Sequence, residues 1–146
     1  MATKRENPYP QFNFEVDLGG EFKSGFQEVS GIGMEVAVAE YRDGNDATNN
    51  VRKLTGLNKA SDVTLKRGVI GVLDLYNWLH AIRNGSPEGV RQVSIKLMSE
   101  DRANTVLLWQ LKNARMIKYT CGPLNAKGND IAMEELVLSY ERLVME

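Results

Sequence analysis

The sequence predicts an α+β fold dominated by antiparallel sheet, with six or seven strands and one helix. Two observations carry that reading. Along most of the chain apolar residues alternate with polar ones at a period of two, the mark of half-buried strands. Only one segment, around residues 72–82, holds helical spacing. The 146 residues are 42% hydrophobic and 25% charged, which suits one domain, 1–146, that can close its own core.

Residues 1–10 contain two of the four prolines and three charged side chains, and read as a flexible N-terminal arm. Phe12, Phe14, Val16 and Leu18 then alternate with Asn13, Glu15 and Asp17 as a first strand, closed by the turn signal Gly19-Gly20. A second strand is expected over Gly25 to Ser30. Gly31 and Gly33 mark a bulge or tight bend before a third, in which Met34, Val36 and Val38 alternate with Glu35, Ala37 and Ala39. Residues 43–59 are polar and rich in Asn, Lys and Gly, and read as one long loop. Loops of that length within a compact domain usually carry function.

Val63 and Leu65 begin the next strand. Val72, Leu75, Tyr76, Leu79 and Ile82 share one helical face, with Asp74, Asn77 and His80 opposite. Asn84-Gly85 and Pro87 stop this helix, with Gly85 suited to the left-handed position past its end. Val93, Ile95 and Leu97 alternate with Gln92, Ser94 and Lys96. Ser99 to Asn104 is a charged turn. Val106 through Tyr119 is long enough for one bent strand, and Leu136, Leu138 and Tyr140 form the last.

Composition excludes several classes of function. With 18 Lys+Arg against 19 Asp+Glu, the net charge of −1 lacks the basic excess that gripping a phosphate backbone requires. The single cysteine, Cys121, cannot form an internal disulfide. No apolar run approaches the ~20 residues of a membrane helix. The polar stretch Met1 to Pro10 lacks the apolar core of a signal peptide, so cytoplasmic synthesis is expected.

Chemical motifs are missing too. His80 is the sole histidine and reads as a surface residue. Cys121 reads as a small buried hydrophobe. Asp43, Asn45 and Asp46 suggest a calcium loop, but Ala47 and Thr48 stand where a ligand and a glycine are needed. Gly122 to Gly128 lacks the order of a phosphate loop. The sequence thus predicts no catalytic, cofactor or metal site, and no enzyme. What remains is a chain whose long strands leave sheet edges open. Pairing those edges in a closed ring of copies removes the hazard they pose.

The run Phe26-Gln27-Glu28-Val29-Ser30-Gly31-Ile32-Gly33-Met34-Glu35, followed by Ala39-Glu40-Tyr41-Arg42-Asp43-Gly44, resembles the tube proteins of phage-like contractile tails. Lys66-Arg67-Gly68, Leu75-Tyr76-Asn77-Trp78 and Val93-Ser94-Ile95-Lys96-Leu97-Met98 add to the resemblance, as do Asn113-Ala114-Arg115, residues 123–130 and Met133-Glu134-Glu135-Leu136. Within that family the chain is most similar to inner-tube subunits of extracellular contractile injection systems.

The resemblance implies a sandwich-like β-barrel with one flanking helix. Six copies would form a ring, and rings would stack into a hollow tube inside a contractile sheath. The partners implied are further copies of the chain, the sheath, baseplate and tube-initiator proteins, a tail terminator or cap, and effector cargo in the lumen. The alternative is the tail tube of a contractile-tailed phage, which conducts DNA. On this resemblance Glu35, Ala37, Ala39, Gln92, Ser94 and Lys96 are expected to face the lumen. The 43–59 loop is expected to contact neighbouring copies through Asp43, Asn45, Asp46, Arg52, Lys53, Asn58 and Lys59. Met34, Val36, Leu75, Leu79, Val93 and Ile95 are core candidates.

Overall fold

The computed structural model describes residues 2–19 and 23–146, with backbone alone at 23 and 24. Gly20, half of the predicted Gly19-Gly20 turn, lies outside the described residues, as does Met1 of the predicted arm. In chain order the elements are β1 (Phe14–Asp17), β2 (Lys23–Ser24), β3 (Glu28–Ser30), β4 (Met34–Tyr41), β5 (Arg52–Ala60), β6 (Val63–Gly68), α1 (Asp74–Arg83), β7 (Arg91–Met98), β8 (Thr105–Cys121), β9 (Met133–Ser139) and β10 (Arg142–Met145). All strand pairings are antiparallel. The α+β expectation therefore holds, with more and shorter strands than the pattern showed. The expected strand Gly25 to Ser30 begins only at Glu28.

Eight strands form one sheet in the order β2-β1-β7-β8-β9-β6-β3, with β10 added on β8. The 17-residue β8 lets this sheet fold over on itself. Its first half pairs with β7 and β10, and its second half with β9. Register shifts against β7 and β9 place an extra residue in β8 near Val106, near Asn113 and again near Ile117. Asn113 adopts φ 53, a left-handed conformation that Asn tolerates better than most residues. Each bulge bends the strand and flips its alternation. The buried residues therefore run Leu111, Ala114, Met116, while Ile117 is exposed. The sheet stays open, with β2 and β3 at its two ends.

The core lies between the two halves of the sheet. Val16, Leu18, Val63, Leu65, Val93, Ile95, Leu111, Leu136 and Leu138 are all essentially inaccessible, in the alternation their strands predict. Helix α1 closes one side with Leu75 and Trp78, and the Trp78 indole N–H donates to the Gly89 carbonyl at 2.9 Å. Tyr76 and Val72 are exposed instead, so the buried stripe is shifted from the predicted one. The helix ends as expected: Gly85 takes φ 71, and the Gly85 and Ser86 amides donate back to Ile82 and Ala81.

Asp74, assigned by periodicity to the polar face, is buried for a reason no helical pattern shows. Arg67 on β6 bonds Asp74 through both terminal nitrogens and Glu134 of β9 through Nε. The Tyr119 hydroxyl donates to the other Glu134 oxygen. Burial works against the Arg67 charge, but the two carboxylates outweigh it and hold its pKa above the ordinary value. Burial, with Glu134 alongside, pushes the Tyr119 pKa well up. Four elements are thereby pinned at one ionic hub, which is costly to break once assembled.

The N-terminal arm lies against the body. The Thr3 amide donates to Val106 at 2.8 Å, Arg5 pairs with Glu100 at 3.0 Å, and the Arg5 guanidinium sits over the Tyr9 ring. No helix among the described residues is long and apolar enough to cross a membrane.

Candidate assembly interface

The second half of the predicted 43–59 loop is strand. Residues 52–60 are β5, and with β4 they build a hairpin outside the main sheet. Only residues 42–51 form its turn. Both faces of the hairpin are open to solvent in one subunit, so β5 is not selected for alternation and its strand character was invisible to a periodicity test. Met34 and Val36, expected in the core, are corrected by the same fact: they are 46% and 49% exposed. They sit on the hairpin, outside the main sheet, where they stay about half exposed.

The pairing fixes which side chains share a face. Met34 faces Ala60, Val36 faces Asn58 and Val38 faces Thr55, whereas Glu35 faces Lys59 and Ala39 faces Leu54. One face is thus an apolar stripe of Met34, Val36 and Val38. The other carries Glu35, Ala37, Ala39 and Tyr41. A bulge between Val36 and Val38 puts Gly56 against Ala37, where a Cβ would lie 3.0 Å from the Ala37 carbonyl oxygen. Arg52 and Lys53 continue the strand opposite Tyr41 and Glu40.

The turn is internally bonded. The Asp46 amide donates to the Asp43 carbonyl at 3.0 Å, the Asp43 amide to Asp46 Oδ2, and the Asn45 amide to Asp43 Oδ1. Arg42 donates to the Thr48 carbonyl, and Arg52 pairs with Asp46 at 2.7 Å. An exposed pair of this kind contributes about 0.2–1 kcal/mol, enough to shape a turn and too little to hold the hairpin up alone.

A two-stranded hairpin is marginal in water without a surface to pack on. Here it leaves Val38, Tyr41, Leu54 and Leu57 exposed at 57%, 52%, 52% and 84%. Met34, Val36 and Val38 lie on one face and Tyr41 and Leu54 on the other, so both faces of the hairpin present apolar side chains to solvent.

The six expected lumen residues divide between two places. Glu35, Ala37 and Ala39 share the hairpin face opposite the apolar stripe. Gln92, Ser94 and Lys96 share the outer face of β7, where Lys96 sits opposite Glu15 and Ser94 opposite Asp17 of β1. β4 and β7 do not pair, so one subunit does not join the two sets into a single sheet.

His80 lies on the exposed side of α1, its ring nitrogens 2.9 Å from Arg83 Nη2 and 3.0 Å from the Asn84 amide, stacked on Tyr76. Cys121 is exposed at the end of β8 rather than buried. No group of three His, Cys, Asp or Glu suited to a metal occurs among the described residues. Periodicity also missed the exposed apolar run Val69-Ile70-Gly71-Val72-Leu73, which leads into the helix. Its signal was four apolar residues in five positions with no polar partners.

An open antiparallel sheet with one outer helix and an unsupported hairpin defines a building block for self-assembly. The chain matches the T4-like virus tail tube protein gp19 family over residues 10–144 and belongs to that family, whose members are structural tube proteins. No curated protein sequence matches it. Among solved structures it is similar to a chain of the sheath-tube complex of an extracellular contractile injection system, PVC, in the extended state. The two are 31% identical over 97% of this chain and 93% of that one, with a TM-score of 0.86. It is also similar to a chain of the tube-terminating cap of the anti-feeding prophage, at 27% identity over 100% and 95% of the two chains and a TM-score of 0.86. Hcp1 from Flavobacterium johnsoniae, 16% identical over 92% and 94% of the two chains with a TM-score of 0.60, shares the fold.

Proposed function

We propose that this chain is the inner-tube subunit of a contractile injection system. Six copies form a ring, and rings stack into a hollow tube that a contracting sheath drives through a target envelope, with effector cargo in its lumen. The observation that carries the reading is the β4–β5 hairpin, an apolar element with open edges that only another copy completes. Similarity to a chain of a sheath-tube complex and to one of a tube cap supports sheath and cap as partners, and the resemblance adds baseplate and initiator proteins. The particle forms in the producing cell and acts outside it. Motion comes from the sheath, so His80 and Cys121 perform no chemistry.

Within the tube the Glu35, Ala37 and Ala39 face of the hairpin, with Gln92, Ser94 and Lys96, lines the lumen. Glu35 and its partner Lys59 are charged and the two alanines small, but the same hairpin face also carries Tyr41 and Leu54 and is therefore mixed. Asp43, Asn45 and Asp46 in the turn, and Arg52, Lys53, Asn58 and Lys59 on β5, contact neighbouring copies. Electron microscopy of the protein produced with its baseplate initiator tests the proposal. Six-fold hollow tubes are expected, and dispersed monomers would count against it.

A further inference from the structure

We propose that Asp43-Gly44, in the turn of the β4–β5 hairpin, is a site of spontaneous modification. Ring closure there converts Asp43 into an isoaspartyl linkage, while Asn84-Gly85 at the end of α1 is shielded from the same chemistry. By sequence the order is the reverse. An asparagine before glycine closes to a succinimide faster, because a carboxylate at neutral pH must take up a proton before it can release water. At both sites the attacking atom is the glycine amide nitrogen, which no Cβ crowds. The structure separates them by what each glycine amide is already bonded to.

At the helix end three consecutive amides are engaged. Those of Asn84, Gly85 and Ser86 donate to the His80, Ile82 and Ala81 carbonyls at 3.1, 3.1 and 3.0 Å. Gly85 is held at φ 71 in the left-handed cap, and the Asn84 side-chain amide lies 3.0 Å from the His80 ring. Closure there requires the cap to unravel. In the hairpin turn the bonds bypass Gly44. The Asp46 amide donates to the Asp43 carbonyl, and the Asn45 amide to Asp43 Oδ1 at 3.2 Å. Among the described residues the Gly44 amide has no acceptor. Asp43, Gly44 and Asn45 are exposed, and a Cβ added to Gly44 would meet nothing within 4 Å. A turn held by exposed bonds opens locally at little cost.

In the reaction the Gly44 nitrogen bonds to Cγ of the protonated Asp43 carboxyl and loses its proton, and one carboxyl oxygen leaves as water. Water then adds to the main-chain carbonyl of the ring and breaks its bond to the Gly44 nitrogen. The product carries one extra methylene in the main chain, with the α-carboxylate as a side group. Asp43 then no longer presents Oδ1 to Asn45 in the native register. Asp43, Asn45 and Asp46 are the turn residues assigned above to contacts with neighbouring copies. On the tube reading, therefore, an altered subunit is turned away from assembly.

The test ages the full chain for weeks at neutral pH in water enriched in heavy oxygen, both folded and in denaturant. Peptide mass spectrometry then reads the label, since each succinimide hydrolysed leaves one heavy oxygen at its site. The ratio of Asp43 to Asn84 conversion is expected to be at least about tenfold higher in the folded chain than in denaturant. Gly44→Ala, whose methyl crowds the attacking nitrogen, should slow labelling of Asp43 at least about fivefold. An equal ratio in the two states would overturn the proposal, as would a folded chain whose Asp43 stays unlabelled. For the consequence, aged protein is mixed with tube initiator, and pelleted tubes are compared with the protein left behind. Isoaspartate in place of Asp43 is expected to be severalfold enriched in the unassembled fraction, and equal content would remove the effect on assembly. Failure of fresh protein to form tubes would instead overturn the tube reading, while labelling of the unassembled chain still decides the chemistry.

Discussion

Replacing Gly31 with alanine tests how the hairpin is launched from the body. Gly31 takes φ 88, where an L side chain costs roughly 1–2 kcal/mol. An ideal Cβ there would lie 2.4 Å from the Asp62 carbonyl oxygen. Cβ contacts do not fall below 3.0 Å, so the segment would have to shift by at least the 0.6 Å difference between these distances. Overpacking of that kind costs about 1–3 kcal/mol more. A total of about 3 kcal/mol lowers the melting midpoint of a chain this size by about 6–12 °C. Gly33, two residues on, is the control: its Cβ would meet only Ser61 Oγ at 3.8 Å. Gly33→Ala should stay within about 0.5 kcal/mol of the parent, or gain slightly from the stiffer unfolded chain. Thermal unfolding of unassembled protein, followed by circular dichroism, measures both. A Gly31→Ala midpoint within 2 °C of the parent would refute the argument, as would equal losses at the two positions.

Other outcomes follow from the same geometry. Arg67→Met leaves Asp74 and Glu134 buried without their partner and should cost about 3–5 kcal/mol in urea unfolding; a loss under 1 kcal/mol would contradict the hub. Burial raises the pKa of both Tyr119 and Tyr140. Their hydroxyls therefore stay protonated in the fold where the unfolded chain would ionise. The stability they contribute is complete below the ordinary tyrosine pKa of about 10 and is lost as pH rises above it. Melting between pH 9 and 11 should show the fall, and Tyr119→Phe/Tyr140→Phe should flatten it. Val36→Asp/Val38→Asp alters side chains that one subunit leaves exposed, so its melting should stay within about 0.5 kcal/mol of the parent while assembly into tubes is lost. Normal tubes from that variant would remove the hairpin from the interface.

Strands with one face on the core were legible in the sequence. Val63 and Leu65, Val93 and Ile95, and Leu136 and Leu138 alternate because water and core select different residues on the two faces. Arg52 to Ala60 carries no such signal, since neither face meets a core within the subunit, and a strand was read as a loop. Met34 and Val36 misled in the other direction: they alternate as core residues do, but they sit on a hairpin outside the main sheet and stay about half exposed in the subunit. Asp74 was misplaced because its partners, Arg67 and Glu134, are brought to it by tertiary structure. In β8 three bulges reset the period, which no regular template follows. Gly31 and Gly85 were readable because left-handed backbone has a strong residue preference. The resemblance pointed to a tube from residues spread along the chain, while the hairpin's real shape and the patch at Val69 to Leu73 came from the structure.

In the proposed tube each hairpin is completed by another copy. A cryo-electron microscopy reconstruction of tubes grown from the baseplate initiator tests this most directly. Six-fold rings around an open lumen are expected, with Met34, Val36 and Val38 of each copy buried against a neighbour. A tube in which that stripe stays solvent-exposed would contradict it, as would protein that remains monomeric at high concentration with the initiator present.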